Sequence, residues 1–247
     1  MMKYSVVIPM YNEKAIAESS AKELSDRFEE AAEAFSFEYE IIFSDDGSSD
    51  GCGDIVRNYA ESHPLAHGLI RVVTAEQNRG KGNAVKLGML ASEGDYAIFT
   101  DSDLAYGVDI CVDMLRRISE ENGDVLIGSR AIAEDGYAGY TFMRKIASKM
   151  YMGLLAMTAG FSHSDSQCGI KAFRGETARR VFALCEVTGW AFDFEVLLIA
   201  EKAGYRIDEH PVRVINHRES KVRLVRDSIR MMRDIRRIKK RVRTLAV

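Results

Sequence analysis

The sequence predicts an α/β domain in which helices flank a mostly parallel sheet, with a basic amphipathic helix at the C-terminal end. Two observations predict it. Short apolar runs alternate with longer amphipathic segments through the first half of the 247 residues, as is typical of right-handed strand–helix–strand crossovers. Residues 218–247 instead combine a helical spacing of apolar residues with twelve Lys and Arg against three acidic residues,. We therefore expect one domain over 1–217 and a helical appendage over 218–247.

Five apolar runs predict the strands, at residues 4–9, 39–44, 69–74, 96–100 and 124–128. Each run is mainly apolar along its whole length, as expected for a strand that is buried on both faces. The amphipathic segments between them predict helices that end near residues 35, 62, 92 and 120,. In the second half, one helix is predicted at 140–161 and another begins within 190–195.

The composition excludes several classes of protein. With 47% hydrophobic and 29% charged residues, the chain is typical of soluble globular proteins,. Its four cysteines form no C-x-x-C pair, which argues against a zinc site or a disulfide framework and fits a reducing cytoplasm,. Residues 1–9 lead directly into a strand, so no signal peptide is expected. No apolar run approaches the roughly 18 residues that span a bilayer.

Two carboxylates follow the fourth predicted strand. Side chains alternate along a strand, so Asp101 and Asp103 point the same way if the extended geometry continues,. Such a pair is a hard oxygen site, suited to Mg²⁺ or Mn²⁺ bound to a diphosphate. The alternative is a solvated turn in which Asp103 or Asp109 caps the next helix. The spacing alone does not decide between the two interpretations.

Polar side chains also follow three other strands, as the pairs Tyr11 and Glu13, Asp45 and Asp46, and Arg79 and Lys81. Ligands of open α/β sheets bind at the carboxyl ends of the strands, so these side chains are expected to surround one nucleotide. A carboxylate there can accept a base N–H, a ring offers a flat surface, and a cation neutralises phosphate. Each pair alone could instead be a helix cap or a solvated loop. Neither a G-x-G-x-x-G nor a P-loop pattern is present, which disfavours a dehydrogenase or P-loop kinase.

Eight short motifs resemble those of a known family. VVIPMYNE at 6–13, DDGSSD at 45–50, NRGKG at 78–82 and DSD at 101–103 are similar to motifs of inverting family 2 glycosyltransferases. In the second half, GSR at 128–130, DSQCGIK at 165–171, GWAFDFE at 189–195 and ESK at 219–221 resemble motifs of polyprenyl-phosphate sugar synthases. The dolichyl-phosphate glucosyltransferase type is the most similar, and the mannose synthase type is next. The resemblance implies a GT-A, Rossmann-like domain.

The resemblance also implies roles for individual residues. The nucleoside would be held by Pro9, Tyr11, Glu13, Phe43 and Asp45. A Mg²⁺ or Mn²⁺ ion and the donor diphosphate would be held by Asp101, Ser102 and Asp103. The donor phosphates would also contact Lys171 and Lys221. The acceptor phosphate would be held by Arg130, Arg144 and Ser148.

The reaction that the resemblance implies is transfer of a hexose from a nucleotide sugar to polyprenyl phosphate, with inversion. A phosphate acceptor is already a nucleophile at neutral pH, so no catalytic base is required, and the protein has to position the reactants and neutralise charge. Ala105 stands where the mannose synthases have a Gln that helps to bind the metal. This difference favours a UDP-glucose-like donor over GDP-mannose.

Several alternatives stay open. The C-terminal helix could pack on the domain, lie on an anionic membrane surface or bind nucleic acid, and the absence of base-stacking aromatic residues ranks nucleic acid last. The helix at 140–161 could be an ordinary packing helix or could grip the acceptor phosphate. Asp193 could cap a helix or bind the incoming sugar, and Glu195 could pair with a base.

We therefore expect a cytoplasmic enzyme that associates peripherally with the cytoplasmic face of a membrane. A homodimer and a separate membrane partner both stay open. Two other functions compete with this one. The first is a soluble family 2 transferase that acts on a glycan or another non-lipid acceptor. The second is a non-catalytic protein that binds a nucleotide sugar or a membrane.

Overall fold

The computed structural model describes residues 1–136, 163–216 and 224–246. Its strands are β1 (Lys3–Met10), β2 (Glu38–Asp45), β3 (Gly68–Thr74), β4 (Tyr96–Phe99), β5 (Val125–Ser129), β6 (Lys171–Arg174) and β7 (Ile207–Pro211). Its helices are α1 (Ala17–Phe35), α2 (Cys52–Ser62), α3 (Lys81–Ala91), α4 (Asp109–Glu120), α5 (Gly175–Leu184), α6 (Phe192–Lys202) and α7 (Leu224–Thr244). The five predicted strands are therefore confirmed, and α1 begins four residues later than expected.

The strands form one seven-stranded sheet in the order β3-β2-β1-β4-β6-β5-β7. The pairs among β1 to β4 and the pair β5–β7 are parallel, whereas β6 is antiparallel to both of its neighbours. The predicted α/β class and mostly parallel sheet are confirmed. Strands β6 and β7 were not predicted, and β6 separates β4 from β5. The carboxyl ends of β1, β2 and β4 and the amino end of β6 meet at one edge, since Phe99 pairs with Lys171.

Alternate residues of the central strands enter two separate cores. On β1, Val6 and Ile8 face the core that includes α1, α2 and α4, whereas Val7 faces the core that includes α3, α5, α6 and α7. The same alternation on β2 places Ile41 and Ile42 in different cores. Both faces of these strands exclude water, which explains why their sequences read as continuous apolar runs. Helices α3 and α6, which border the site described below, belong to the second core.

The C-terminal helix packs on the domain over the half whose side chains are described. Its apolar side chains there are buried in the second core: Ile235, Ile238 and Val242. Its exposed basic side chains, here called the cationic face of α7, are Arg233, Arg236, Arg237, Lys240 and Arg243. Within the described ranges, no helix combines the length and the hydropathy that a bilayer span requires.

Candidate active site

The turn after β4 carries the two predicted metal ligands. Asp101 O accepts a hydrogen bond from Leu104 N at 3.0 Å, and Asp103 Oδ1 accepts one from Ala105 N at 3.2 Å. Leu104 has a φ of +48°, which closes the turn. Helix α4 begins later, and Val108 precedes it with no side-chain cap. The alternative in which Asp103 or Asp109 caps this helix is therefore wrong.

A lysine from the helix that precedes β4 in the chain reaches this turn. Lys81 is the first residue of α3, and its Nζ forms an ion pair with Asp101 Oδ1. The Lys81 side chain is 18% exposed and that of Asp101 is 33% exposed, so the pair borders solvent. Burial lowers the pKa of Lys81, but the charges of Asp101 and Asp193 outweigh burial and raise this pKa above its ordinary value,. Lys81 Nζ also lies 5.7 Å from the centre of the Trp190 ring.

A second ion pair lies directly behind the first. Lys171, the first residue of β6, is fully buried, and its Nζ donates to Asp193 Oδ1 at 2.5 Å and to Cys168 O at 2.6 Å. Burial raises the pKa of the Asp193 carboxyl, and this pKa stays above its ordinary value although Lys171 and Lys81 oppose the shift,. We call the four side chains of the two pairs the site cluster: Lys81, Asp101, Lys171 and Asp193.

Close packing of the backbone surrounds the site cluster. A Cβ atom at Gly169 would lie against Asp101 Oδ2, so a larger residue at this position would displace the Asp101 carboxylate from its present place. Gly169 N donates to Tyr106 Oη at 3.2 Å, which ties the same segment to the loop before α4. The motif at 165–171 therefore places Lys171 against the carboxyl end of β4.

The two loops predicted to hold the nucleoside are joined to each other. Asn12 N donates to Ser48 Oγ at 2.9 Å, and Ser49 N donates to Asn12 Oδ1 at 3.0 Å. Tyr11 beside them is 44% exposed and offers a ring face to a ligand,. Of the other predicted nucleoside contacts, Pro9 is buried one residue before the end of β1, and Phe43 is buried in the core. The backbone carbonyl of Glu13 accepts the amides of Ile16 and Ala17 at the start of α1.

The neighbouring residues Asp45 and Asp46 accept hydrogen bonds from different loops. Asp45 Oδ1 accepts Ser48 N at 2.9 Å, within the same loop. Asp46 instead accepts Arg79 N at 3.0 Å, Gly80 N at 2.6 Å and Asn83 Nδ2 at 2.8 Å. Asp46 thus holds the segment 78–83, here called the donor loop, against the end of β2.

Arg130 lies at the end of β5. Its Nε and Nη2 donate to the two oxygens of Asp165 at 2.6 and 2.8 Å, and its backbone N donates to Asp165 at 3.1 Å. The Arg130 side chain is 11% exposed and that of Asp165 is 1% exposed. Burial opposes the charge on Arg130, but Asp165 outweighs burial and raises the pKa of the guanidinium well above its ordinary range. The other predicted acceptor residues, Arg144 and Ser148, lie outside the described residues, as does Lys221.

Sequence reasoning assigned no site role to Asp165, and it left the partner of Asp193 open. Asp193 lies at the start of a helix whose neighbouring residues are almost all apolar and buried. An acid in such a run indicates a buried cationic partner, which is the signal that could have predicted its pair with Lys171. Glu195, for which a base was expected, pairs with Arg241 on α7 at 2.9 Å.

The two carboxylates after β4 fit a divalent metal that is shared with a substrate. Among the residues that the structure describes, no group of three or more His, Cys, Asp and Glu side chains could hold a metal. Mg²⁺ and Mn²⁺ in phosphate-transferring sites usually take one or two carboxylates and complete their coordination with phosphate oxygens and water. Asp101 and Asp103 would supply the hard oxygen donors for that arrangement. The roles assigned to individual residues remain predictions.

A mostly parallel sheet with paired cations and carboxylates at the carboxyl ends of its strands fits the GT-A fold. The chain belongs to glycosyl transferase family 2, whose sequence profile matches residues 5–182. This confirms the family resemblance read from the motifs. It also confirms that the protein is a glycosyltransferase.

Two relatives extend the match over almost the whole chain. A dolichyl-phosphate beta-glucosyltransferase of Dictyostelium discoideum is 35% identical over 95% of this chain and 73% of its own. One of Saccharomyces cerevisiae is 31% identical over 94% of this chain and 72% of its own. Among solved structures, glucosyl-3-phosphoglycerate synthase from Mycobacterium tuberculosis with Mn²⁺, UDP and phosphoglyceric acid has a TM-score of 0.70. It is 20% identical and covers 100% of this chain and 80% of its own, a likeness that shows the fold.

Proposed function

We propose that this protein transfers glucose from UDP-glucose to a polyprenyl phosphate such as dolichyl phosphate, with inversion at the anomeric carbon. The site cluster carries the proposal. It gathers two cations and two carboxylates at the strand edge where a family 2 transferase would bind its donor,. The relatives named dolichyl-phosphate beta-glucosyltransferases support both the sugar and the acceptor.

The donor would lie across the carboxyl ends of β1, β2 and β4. Tyr11, whose side chain is exposed, would offer its ring to the base, and Asp45, the last residue of β2, would accept a base N–H,. Lys81 and Lys171 would neutralise the donor phosphates. Asp101 and Asp103 would hold Mg²⁺ or Mn²⁺, which neutralises charge on a departing diphosphate when it is bound. Complexes of the Mycobacterium tuberculosis synthase contain Mn²⁺ or Mg²⁺ with UDP.

The transfer is an in-line displacement. An oxygen of the acceptor phosphate forms the new bond to the anomeric carbon, and the bond from that carbon to the UDP oxygen breaks. The acceptor oxygen is already anionic, so no side chain has to remove a proton, and the residues act by orientation and by electrostatic stabilisation. Arg130, held in place by Asp165, would orient the acceptor phosphate together with Arg144 and Ser148.

A lipid acceptor requires the protein to reach a membrane surface. We propose that the cationic face of α7 binds anionic headgroups, so that residues 218–247 attach the domain peripherally to the cytoplasmic face. The apolar side chains of this half of the helix are buried in the domain. Binding would therefore be mainly electrostatic and would weaken as ionic strength rises.

The donor assignment is tested by calorimetric titration with UDP, UDP-glucose, GDP and GDP-mannose, each with and without Mn²⁺. We expect Mn²⁺-dependent binding of the uridine compounds that is roughly 5- to 150-fold tighter than binding of the guanosine compounds, because hydrogen bonds to base edges discriminate between bases by about 1–3 kcal/mol. The donor that binds is then incubated with polyprenyl phosphate, and the lipid-linked sugar is measured. Tighter binding of GDP-mannose than of UDP-glucose would overturn the assignment of UDP-glucose as the donor. Binding of UDP-glucose without transfer to polyprenyl phosphate would overturn the proposed acceptor.

One observation favours a second candidate, a family 2 transferase that acts on a water-soluble acceptor. The apolar side chains of α7 that are described pack on the domain, as they would in a purely structural helix. Flotation with vesicles containing about one-third anionic lipid separates the two candidates. Transfer to a polyprenyl phosphate together with flotation supports the lipid acceptor. Transfer only to soluble acceptors, without flotation, supports the second candidate.

A further inference from the structure

The first turn of α6 carries two buried acids whose partners lie on different parts of the molecule. Asp193 pairs with Lys171 in the site cluster, and Glu195 pairs with Arg241 on α7. Residues two apart on an α-helix project about 200° apart, so one turn can serve both sides. Helix α6 therefore lies between the site cluster and the C-terminal helix.

The carboxylate of Glu195 is completely buried and uses both of its oxygens. Oε1 accepts Arg241 Nη1 at 2.9 Å, and Oε2 accepts the backbone N of Glu186 at 2.9 Å and of Val187 at 2.7 Å. Arg241 Nη2 also donates to Leu184 O at 2.6 Å. One guanidinium and one carboxylate thus hold the segment 184–187 from both sides.

The segment 184–187 is followed directly by Thr188, which contacts the donor loop. Thr188 O accepts Gly82 N at 2.8 Å. A Cβ atom at Gly80 would lie 2.7 Å from Thr188 O, and a Cβ atom at Gly82 would lie 2.7 Å from Val187 O. The backbone on both sides of Lys81 therefore rests on residues 187–188, with no space for movement toward them.

We propose that Arg241 is a positioning residue for the donor site. Through Glu195 and the segment 184–188, it sets the position of the donor loop and of Lys81, which faces Asp101. The contact between Arg241 and Glu195 and the binding of a nucleoside diphosphate are consequently coupled, and the coupling is reciprocal. The proposal rests on the proposed function only in taking the donor loop as the part of the protein that meets the donor phosphates.

The test compares Arg241→Met and Arg241→Lys with Arg180→Met, which removes one charge from an exposed position on α5. The affinity for UDP with Mn²⁺ is measured well below the unfolding temperature, and hydrogen exchange is measured for the amides of residues 79–83. Arg241→Met is expected to weaken UDP binding by roughly 2- to 30-fold, the usual range for coupling through a packed network, and to speed exchange in the donor loop. Arg241→Lys, which keeps the charge beside Glu195, should lie between wild type and Arg241→Met. Arg180→Met should match wild type.

A second control separates positioning from loss of stability. Lys202 Nζ donates to Val242 O at 2.6 Å and to Arg243 O at 2.8 Å, so it fastens the same helix without contacting Glu195. Lys202→Met is expected to lower the unfolding temperature and to leave UDP affinity within about twofold of wild type. Equal losses of UDP affinity in Lys202→Met and Arg241→Met would overturn the proposal, because they would trace the loss to weaker docking alone.

Three further outcomes are decisive. Unchanged UDP affinity and unchanged exchange in a folded Arg241→Met would overturn the proposal. If that variant does not fold, the same two measurements on Arg241→Lys and Glu195→Gln decide it, and wild-type values in both would overturn it. If wild type does not bind UDP, the proposed donor fails, and hydrogen exchange of residues 79–83 alone then decides the positioning role.

Discussion

Two groups of charged side chains, each with at least one fully or almost fully buried member, lie at opposite ends of the same sheet. The site cluster lies at the carboxyl ends of the strands. Near the amino ends, Glu40 on β2 is 1% exposed and accepts Ser5 Oγ at 2.6 Å, Arg71 Nε at 2.9 Å, Arg71 Nη2 at 2.7 Å and Glu93 N at 2.7 Å. We call Ser5, Glu40 and Arg71 the far cluster. Its contacts tie β1, β2 and β3 to the turn before β4.

The difference between the clusters lies in what they leave open. The buried carboxylate of the far cluster is surrounded by donors from two strands and a turn, and only its cationic partner Arg71, 31% exposed, borders solvent. Asp101 in the site cluster is 33% exposed, its partner Lys81 is 18% exposed, and both lie where the strand ends open toward solvent. Burial and charge alone therefore do not identify a site. A functional site is identified by its position at the carboxyl ends of the strands and by its access to a ligand.

The largest expected effect is on turnover, at the site cluster's edge. Asp103→Ala should lower the rate by on the order of 10³-fold, because charge on the leaving diphosphate would lose its support. The free energy of unfolding should change by less than about 1 kcal/mol, since the residue lies in a partly exposed turn. Steady-state rates at saturating Mn²⁺ and urea denaturation measure both quantities. A near-wild-type rate would contradict the metal assignment.

In the far cluster, we expect the opposite pattern. Glu40→Leu should lower the free energy of unfolding by about 3 kcal/mol, because the Arg71 guanidinium and Glu93 N lose their acceptor. The affinity for UDP should stay at its wild-type value once the protein is folded. Urea denaturation and calorimetry test this pair of outcomes. Loss of UDP affinity at a temperature where the variant is fully folded would remove the distinction between the clusters.

The inner ion pair of the site cluster offers a sharper comparison. Lys171→Met alone should destabilise the protein by about 3 kcal/mol, because it leaves Asp193 buried without its partner. Lys171→Met combined with Asp193→Leu should return the free energy of unfolding to within about 1 kcal/mol of wild type, because apolar pairs often replace buried ion pairs without loss.

The same double variant should bind UDP more weakly than wild type does. Its stability is restored, but the cation of Lys171 is still missing. Calorimetry of the two single variants and the double variant measures this. Restored UDP affinity in the double variant would show that Lys171 serves packing alone, like the pair in the far cluster.

The smallest expected effect is on the reactivity of the buried thiol of Cys168, whose backbone carbonyl contacts Lys171. Burial raises the pKa of the Cys168 thiol to about 11, so at pH 8 only about one molecule in a thousand carries the thiolate,. The native protein should therefore react slowly with a disulfide reagent at pH 8 and rapidly once it is unfolded in urea. Fast labelling of Cys168 in the native state would show that the opening at Asp101 extends beneath Lys171.

Local patterns along the chain are enough to predict the first five strands, the helices between them and the family. A strand buried on both faces has to be apolar along its length, and the loops after such strands in an α/β sheet lie at one edge. For this reason the amino-acid sequence alone predicts that the pair Asp101 and Asp103 and the motif at 78–82 lie at the same edge of the sheet.

The position of β6 and the pairing of the buried charges depend instead on the folded chain. The strand has four residues and a charged residue at each end, so its sequence resembles a surface turn. The strand is buried because it pairs with β4 and β5. Lys171 is tolerated in the interior because Asp193 on α6 forms an ion pair with it. Likewise, the basic composition of the C-terminal segment leaves its partner open, whereas in the fold Arg241 lies against Glu195. Pairings of this kind join residues far apart in the chain, and their free energy exists only when folding has brought both partners out of water.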